Sequence, residues 1–330
     1  MTRERASVGD RAAERSRYGP EHLAVIVPTK DRPDKVRNLL DSLCEQPCCG
    51  RIVVVDSGEC IGDLVRSYAD RLPVEHHRCD PPGQIRQRNL GISLLDDRTP
   101  LVGSLDDDIV LEPGALDAMV RCWNSCPAET AGISFNIVNN SREPGGFWRR
   151  VFLLTAPGPG RVLRSGATTS NSHVDHDIRT QWLCGGASVW RLEILMAFRH
   201  QEVASRWAIA EDLLFSYPIG KRYPLYVCAA AAVRHEHQAD YVATASDRFH
   251  GFARTIWLLH FVRANSDLST VAFAWMQTGA VAGRLLSGLV TLNRRHVQFA
   301  IGQFQALVVG FWTLALGGDL RAAIERTTGR

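Results

Sequence analysis

A chain of 330 residues with 45% hydrophobic side chains is long enough for one large α/β domain plus an appendage, and apolar enough for a packed core. Its 38 basic and 35 acidic residues leave a formal charge of +3, which excludes a strong overall basic field and gives no reason to expect a nucleic-acid partner. Nine cysteines (44, 48, 49, 60, 79, 122, 126, 184 and 228) form an odd, scattered set without the paired short spacings of a zinc site.

Met1 to Tyr18 is rich in Arg and Glu and lacks the apolar core of a secretory signal, so residues 1–20 are expected to be a disordered or loosely helical lead-in. Reduced thiols and a cytoplasmic location follow from that expectation. Leu23 to Pro28 is an apolar run closing on a polar turn, and Val36 to Leu43 spaces its apolar residues as a helix does. The pattern then repeats: Arg51 to Asp56 predicts a buried strand, Ser57-Gly58 a turn, and Ile61 to Tyr68 a helix. Pro73 to His77 predicts a shorter third strand. After Pro81-Pro82-Gly83 a helix is expected over Gln84 to Leu94, and Leu101 to Leu105 predicts a buried strand delivering Asp106-Asp107-Asp108 at its carboxyl end. Strands alternating with helices over the first ~120 residues predict an α/β fold: a mostly parallel central sheet flanked by helices, with ligands beyond the carboxyl ends of the strands.

Gly145 to His176 is rich in Gly, Pro, Ser and Thr and is expected to be a mobile loop over the site. Further helices are expected near Leu192 to Phe198 and from Ala208-Ile209-Ala210-Glu211-Asp212 onward, and a strand over Leu225 to Val233 that closes on Arg234-His235-Glu236-His237. Residues 21–240 are taken as the catalytic domain and 241–330 as a C-terminal helical extension. His296 to Gly318 contains no Asp, Glu, Lys or Arg, but Gln298, Gln303 and Gln305 interrupt it. A membrane span needs ~20 predominantly apolar residues. Amphipathic helices lying on a bilayer surface are therefore expected, with Arg284, Arg294 and Arg295 near lipid phosphates. Packing against the catalytic domain or a second subunit is the alternative.

The chemistry centres on Asp106-Asp107-Asp108. Clustered carboxylates hold hard cations such as Mg²⁺ or Mn²⁺, which keep part of their shell for substrate phosphates. Alternation along an extended segment predicts Asp106 and Asp108 on one side and Asp107 on the other. A solvated acidic turn is the plain alternative, although three adjacent carboxylates repel one another.

Six segments, in order, resemble the inverting glycosyltransferases of family 2, whose fold is the nucleotide-diphospho-sugar transferase (GT-A like) type. They are Val25-Ile26-Val27-Pro28-Thr29-Lys30-Asp31-Arg32-Pro33, Val53-Val54-Val55-Asp56-Ser57-Gly58, Gly83 to Ile92, Leu105 to Leu116, Gly185-Gly186-Ala187-Ser188-Val189-Trp190-Arg191, and Glu211-Asp212. The resemblance implies a nucleotide-diphospho-sugar donor and a glycan or lipid-linked acceptor. Pro28, Thr29, Asp31 and Asp56 match positions that hold base and ribose, with Ser57 standing where many relatives carry a second acid. Arg88 matches a donor-contacting position, with Asn89 bracing the loop and Gln87 where a small residue is usual. The resemblance further implies Asp106 and Asp108 as metal ligands, Asp107 on the ribose or an anchoring contact, and His235, or His237 two residues on, as a third ligand. Gly185 and Gly186 would let the backbone pass close to substrate. Asp212, beside Glu211, matches the catalytic base.

Local readings stay open beside these. Asp56 could cap a turn, Arg86 and Arg88 could form a solvated helix face, and Glu211-Asp212 could be helix-start acids. His235 could be structural. A non-catalytic sugar-nucleotide-binding or scaffold protein, or a nucleotidyltransferase, remains the alternative activity, although no Gly-rich, Lys-bearing triphosphate loop follows the first strand.

Overall fold

The computed structural model describes residues 18–47, 49–140, 145–202, 209–236 and 247–328. Most of the expected lead-in, together with Ala208 and His237, lies outside them. Tyr18, near the end of that lead-in, is tied down: its backbone exchanges two hydrogen bonds with the Asn124 side chain at 2.8 and 2.9 Å.

The first half follows the alternation in the sequence: β1 (Leu23–Thr29), α1 (Pro33–Cys44), β2 (Arg51–Asp56), α2 (Gly62–Arg66), β3 (Val74–Arg78), α3 (Gln84–Ser93) and β4 (Leu101–Leu105). Here β1 is flanked by β2 and β4, with β3 beyond β2, and every pair is parallel. The Val- and Ile-rich runs of β1 and β2 are buried almost throughout, as strands covered on both faces must be. Gly91 of α3 packs on Ile26 of β1 so closely that a Cβ there would overlap it.

Beyond β4 the sheet turns mixed. The elements are β5 (Ile109–Leu111), α4 (Ala115–Ser125), β6 (Gly132–Ile137), α5 (Phe147–Val151), β7 (Ile178–Thr180), β8 (Ala187–Arg191), α6 (Leu192–Ala197), α7 (Glu211–Gly220) and β9 (Leu225–His235). Among the described residues nine strands join one sheet in the order β3-β2-β1-β4-β8-β6-β9-β5, with β7 on β9. β8 runs antiparallel to both β4 and β6, so the parallel arrangement expected from the first ~120 residues holds for that half. The Gly145 to His176 region contains α5 and a bridge between Val162 and Thr168.

Four helices complete the chain: α8 (Asp247–Ala264), α9 (Thr270–Val290), α10 (Arg294–Ala315) and α11 (Leu320–Thr328). They share a core with the sheet domain, where Leu213 and Tyr217 of α7 meet Leu259, Phe261, Phe273 and Leu320. Tyr217 and Lys221 also bind Asp267 at 2.5 and 2.8 Å. α10 is long and apolar enough to cross a membrane, yet it lies tightly along α8. A Cβ at Gly302 would overlap the Arg248 carbonyl, and one at Gly251 the Phe299 carbonyl. On its other side α10 exposes Ile301, Phe304, Val308, Trp312 and Leu316, a stripe at helical spacing.

This backbone-to-backbone approach is testable. Gly302→Ala should lower stability by about 1–3 kcal/mol in thermal unfolding, because the helices must separate. Gly283→Ala on α9, where a Cβ meets open space, should instead stabilise by about 0.5–1 kcal/mol. Equal effects would show that α8 and α10 are not in close contact in solution.

Candidate functional site

The carboxyl ends of β1, β2 and β4, the start of α7 and the end of β9 converge on one polar cluster. Residues 106–108 form a turn rather than an extended strand, so the expected alternation does not hold. Asp107 and Asp108 both face Arg32, whose Nη1 lies 2.8 Å from Asp107 and Nη2 2.6 Å from Asp108. Asp106 points elsewhere. Its Oδ1 accepts from Arg88 at 2.7 Å and from Gln84 at 3.0 Å.

Arg88 is the buried link of the site. Its guanidinium pairs with Asp106 on one side and Glu211 on the other, and only 3% of the side chain is exposed. Burial alone would lower the Arg88 pKa, but the two carboxylates outweigh it and raise it. Burial also raises Glu211 against the pull of Arg88. Arg88 is therefore not part of a solvated helix face, whereas Arg86 reaches out to Glu202 at 2.9 Å.

Asp212 follows Glu211 in the first turn of α7, and its Oδ1 accepts the Leu213 N–H at 2.8 Å. Burial raises its pKa. Beside it in the same crevice are Gly185, Ser216 and His200, the last held at about 3 by burial and by Arg88, and so uncharged. The two glycines make room. A Cβ at Gly186 would overlap the Asp106 carboxylate, and one at Gly185 would sit 3.2 Å from Arg88 Nη1 and 3.4 Å from Asp212 Cβ.

At the opposite end, His235 Nε2 lies 3.1 Å from Asp108 Oδ1. Burial pushes Asp108 upward, but His235 and Arg32 outweigh it and bring it to about 2. Asp107, more deeply enclosed, is pushed up to about 7 by burial although Arg32 and the Thr29 hydroxyl, 2.7 Å away, favour its charge.

Asp31 and Asp56 make a second group. Asp56 is fully buried and spends its carboxylate on the Gly58 N–H at 2.8 Å and on Arg78 at 2.6 Å, which is the turn-capping geometry. Asp31, in the left-handed region at φ 55°, accepts the Glu59 N–H at 2.7 Å. Pro28 and Thr29 end β1 nearby, and the Ser57 hydroxyl donates to the Cys79 carbonyl at 2.9 Å. Asn89 donates to the His200 carbonyl at 3.0 Å.

Sequence reasoning assigned no role to Arg32, Gln84 or His200. Gln87 has one too: buried, it donates to the carbonyls of Thr29 and Val55 at 2.6 and 2.7 Å, clamping the ends of β1 and β2. A long amide in place of a small residue was the available signal.

Residues 24–177 match the family model described as Glycosyl transferase family 2. No curated protein matches the chain in sequence. Among solved structures the chain is similar to the mannosyltransferase PcManGT from Pyrobaculum calidifontis in complex with GDP-Man and Mn²⁺, with a TM-score of 0.54 and 15% identity over 88% of this chain and 87% of that one. It is also similar to S. aureus TarS 1-349 in complex with UDP-GlcNAc, with a TM-score of 0.50 and 17% identity over 90% and 92%. Against a further S. aureus TarS structure the TM-score is 0.50 and the identity 16%, and the match covers 79% of this chain but only 42% of that one. Residues 24–177 thus resemble the glycosyltransferases of family 2, and the fold is of the GT-A type.

Removing the guanidinium leaves the enclosed Glu211 carboxylate facing the half-buried Asp106 carboxylate with no cation between them. Arg88→Met should lower the unfolding free energy by about 3–5 kcal/mol in a urea titration. Stability equal to wild type would show that Arg88, Asp106 and Glu211 do not form a buried triad in solution.

Proposed function

We propose that this chain is an inverting glycosyltransferase that moves a sugar from a nucleotide-diphosphate donor to a hydroxyl of a glycan or lipid-linked acceptor, in cell-envelope polysaccharide synthesis. The observation that carries the reading is the Arg88 bridge, which holds the Glu211-Asp212 pair against the Asp106 end of the acidic cluster. The nucleotide sugars bound by PcManGT and TarS support the donor class.

Asp212 is the proposed base. A desolvated carboxylate is a stronger base than a solvated one, and it removes the acceptor proton as the hydroxyl oxygen attacks the anomeric carbon. The bond to the diphosphate breaks on the opposite face, so configuration inverts. Arg88 and the backbone at Gly185-Gly186 hold the donor, and Thr29, Asp31 and Asp56 line its nucleotide end.

The residues fit a hard divalent ion, Mg²⁺ or Mn²⁺. Asp108 Oδ1 and His235 Nε2 are 3.1 Å apart, close to the spacing of about 3.0 Å between neighbouring octahedral ligands about 2.1 Å from the ion. Asp106 does not close with these two to within 4.8 Å as a set; it is the ligand that would have to leave Arg88. When bound, the ion neutralises charge on the departing diphosphate.

Location rests on the outward stripe of α10. We propose that it seats the enzyme peripherally on the cytoplasmic face of a membrane. Of the basic residues expected at lipid phosphates, Arg295 pairs with Asp247 at 3.1 Å and Arg284 lies over the Phe299 ring at 3.8 Å. Arg294 is exposed. A homo-oligomer interface is the competing use of this face.

Asp212→Asn should cut turnover by roughly 10²-fold or more with little change in donor affinity. In wild type, kcat/KM should fall toward acid through a pKa above the ordinary aspartate value of about 4, because the raised base must lose its proton to act. A wild-type rate in the variant, or a product of retained configuration, sinks the mechanism. Asp106→Ala and Asp108→Ala should each abolish metal-dependent nucleotide binding in calorimetry; unchanged affinity in both would remove them from the metal site. In flotation with anionic liposomes the full chain should rise with the vesicles, and a soluble dimer that ignores them would assign the α10 face to self-association.

A further inference from the structure

Far from this cleft, three of the cysteines that look scattered in the sequence come together with one carboxylate. Cys122 lies in the last turn of α4 and Cys126 caps that helix, with their sulfurs 3.8 Å apart. Asp177, immediately before β7, brings Oδ2 to 3.7 Å from Cys122 Sγ. Cys228 comes from β9, and the ligand atoms of Cys122, Asp177 and Cys228 all lie within 4.8 Å of one another. Cys228 and His235 lie seven positions apart along β9, roughly 20 Å of extended strand, so this cluster is separate from the acidic one.

Cys122, Asp177 and Cys228 close to the spacings of a coordination polyhedron, whereas Cys126 meets Cys122 but does not close with the other two to within 4.8 Å as a set. Tetrahedral Zn²⁺ with Zn–S bonds of about 2.3 Å and a Zn–O bond of about 2.1 Å sets neighbouring sulfurs about 3.8 Å apart and sulfur and oxygen about 3.6 Å apart. The two distances found, 3.8 and 3.7 Å, match those edges. A disulfide would need about 2.0 Å between two sulfurs and would leave the third thiol and the carboxylate without a role.

The surroundings orient the ligands as a metal site requires. Asp177 turns Oδ1 to the Ala229 N–H at 2.8 Å, leaving Oδ2 toward the sulfurs, the kind of outer contact that fixes a monodentate carboxylate. That amide is available because β9 bulges here: its pairing with β6 jumps from Cys228 to Ala232 between Phe135 and Asn136. Cys122 and Cys228 are buried, Cys126 is half-buried and Asp177 is exposed, so an ion can enter from the Asp177 side.

We propose that Cys122, Cys228 and Asp177 are the preset ligands of a tetrahedral site for a thiophilic divalent cation, Zn²⁺ above all, with Cys126 swinging in from the helix cap as the fourth, which pins the end of the 145–176 loop to α4 and β9. Three thiolates and one carboxylate suit Zn²⁺ better than Mg²⁺ or Mn²⁺. Binding displaces the thiol protons to solvent, so uptake weakens as pH falls.

The full chain, stripped by a chelator under reducing conditions and titrated with Co²⁺, should develop the thiolate-to-cobalt charge-transfer absorption of a tetrahedral site, and Zn²⁺ should bleach it. Cys126→Ser and Asp177→Asn, both away from the deep core, should weaken Co²⁺ binding at least tenfold. Asp106→Ala should keep the absorption, because the acidic cluster offers no sulfur. Absence of the band in wild type, unchanged affinity in Cys126→Ser, or loss of the band in Asp106→Ala would each overturn the proposal. Because the wild-type titration carries the result, a variant that fails to fold does not rescue it.

Discussion

Everything at the cleft depends on one guanidinium held out of water between two carboxylates. Arg88 comes from α3, Asp106 follows β4 and Glu211 begins α7, so three elements far apart in sequence are fixed by one charged group. A buried Arg is tolerated when carboxylates offset its charge, and losing it leaves both carboxylates without a counter-charge. The same constraint explains the glycines opposite. Any side chain at 186 would displace the Asp106 carboxylate, and one at 185 would press on Arg88 and Asp212.

The acidic triplet is thereby divided between two cations. Arg88 takes Asp106, and Arg32 takes Asp107 and Asp108. Three adjacent carboxylates would repel one another if left alone, and the two guanidiniums hold them apart. In the proposed metal site an ion beside His235 would meet Asp108 Oδ1, while Arg32 holds the other oxygen, Oδ2.

The parallel half of the sheet was legible because its strands are continuous apolar runs and each is followed by a helix with its own period. The strands β5 to β8 were not, since three of them are short and their antiparallel neighbours lie 45 or more residues away: Thr180 pairs with Leu225, Gly103 with Val189, Ile109 with His235. The candidate site residues were picked out one by one, through motifs at strand ends and helix starts. Their grouping was hidden. Alternation was assumed for Asp106 to Asp108, and the chain instead turns there. Arg32 and Gln87 sat inside recognised segments, but what they bind is set by tertiary contacts. The cysteine cluster was invisible for the same reason, since only Cys122 and Cys126 are near in sequence, one helical turn apart.

The C-terminal helices show why composition could not decide between a surface face and a packed face: an exposed apolar face and a buried one lie on opposite sides of the same helices. Glycines at 251 and 302 bring α8 and α10 into backbone contact, and Trp257 is fully buried with Ala306 and Ile324. A span surrounded by lipid would have no need of the polar contact between Gln277 and Gln303, 3.1 Å apart in the buried seam. That pair satisfies amides which packing has removed from water. Of the glutamines that interrupt the apolar run, Gln303 thus marks the inner face of α10, while Phe304, Val308 and Trp312 mark its outer one. Because the inner face is committed to α8 and α9, the outer stripe can meet an apolar surface without the helix leaving the fold.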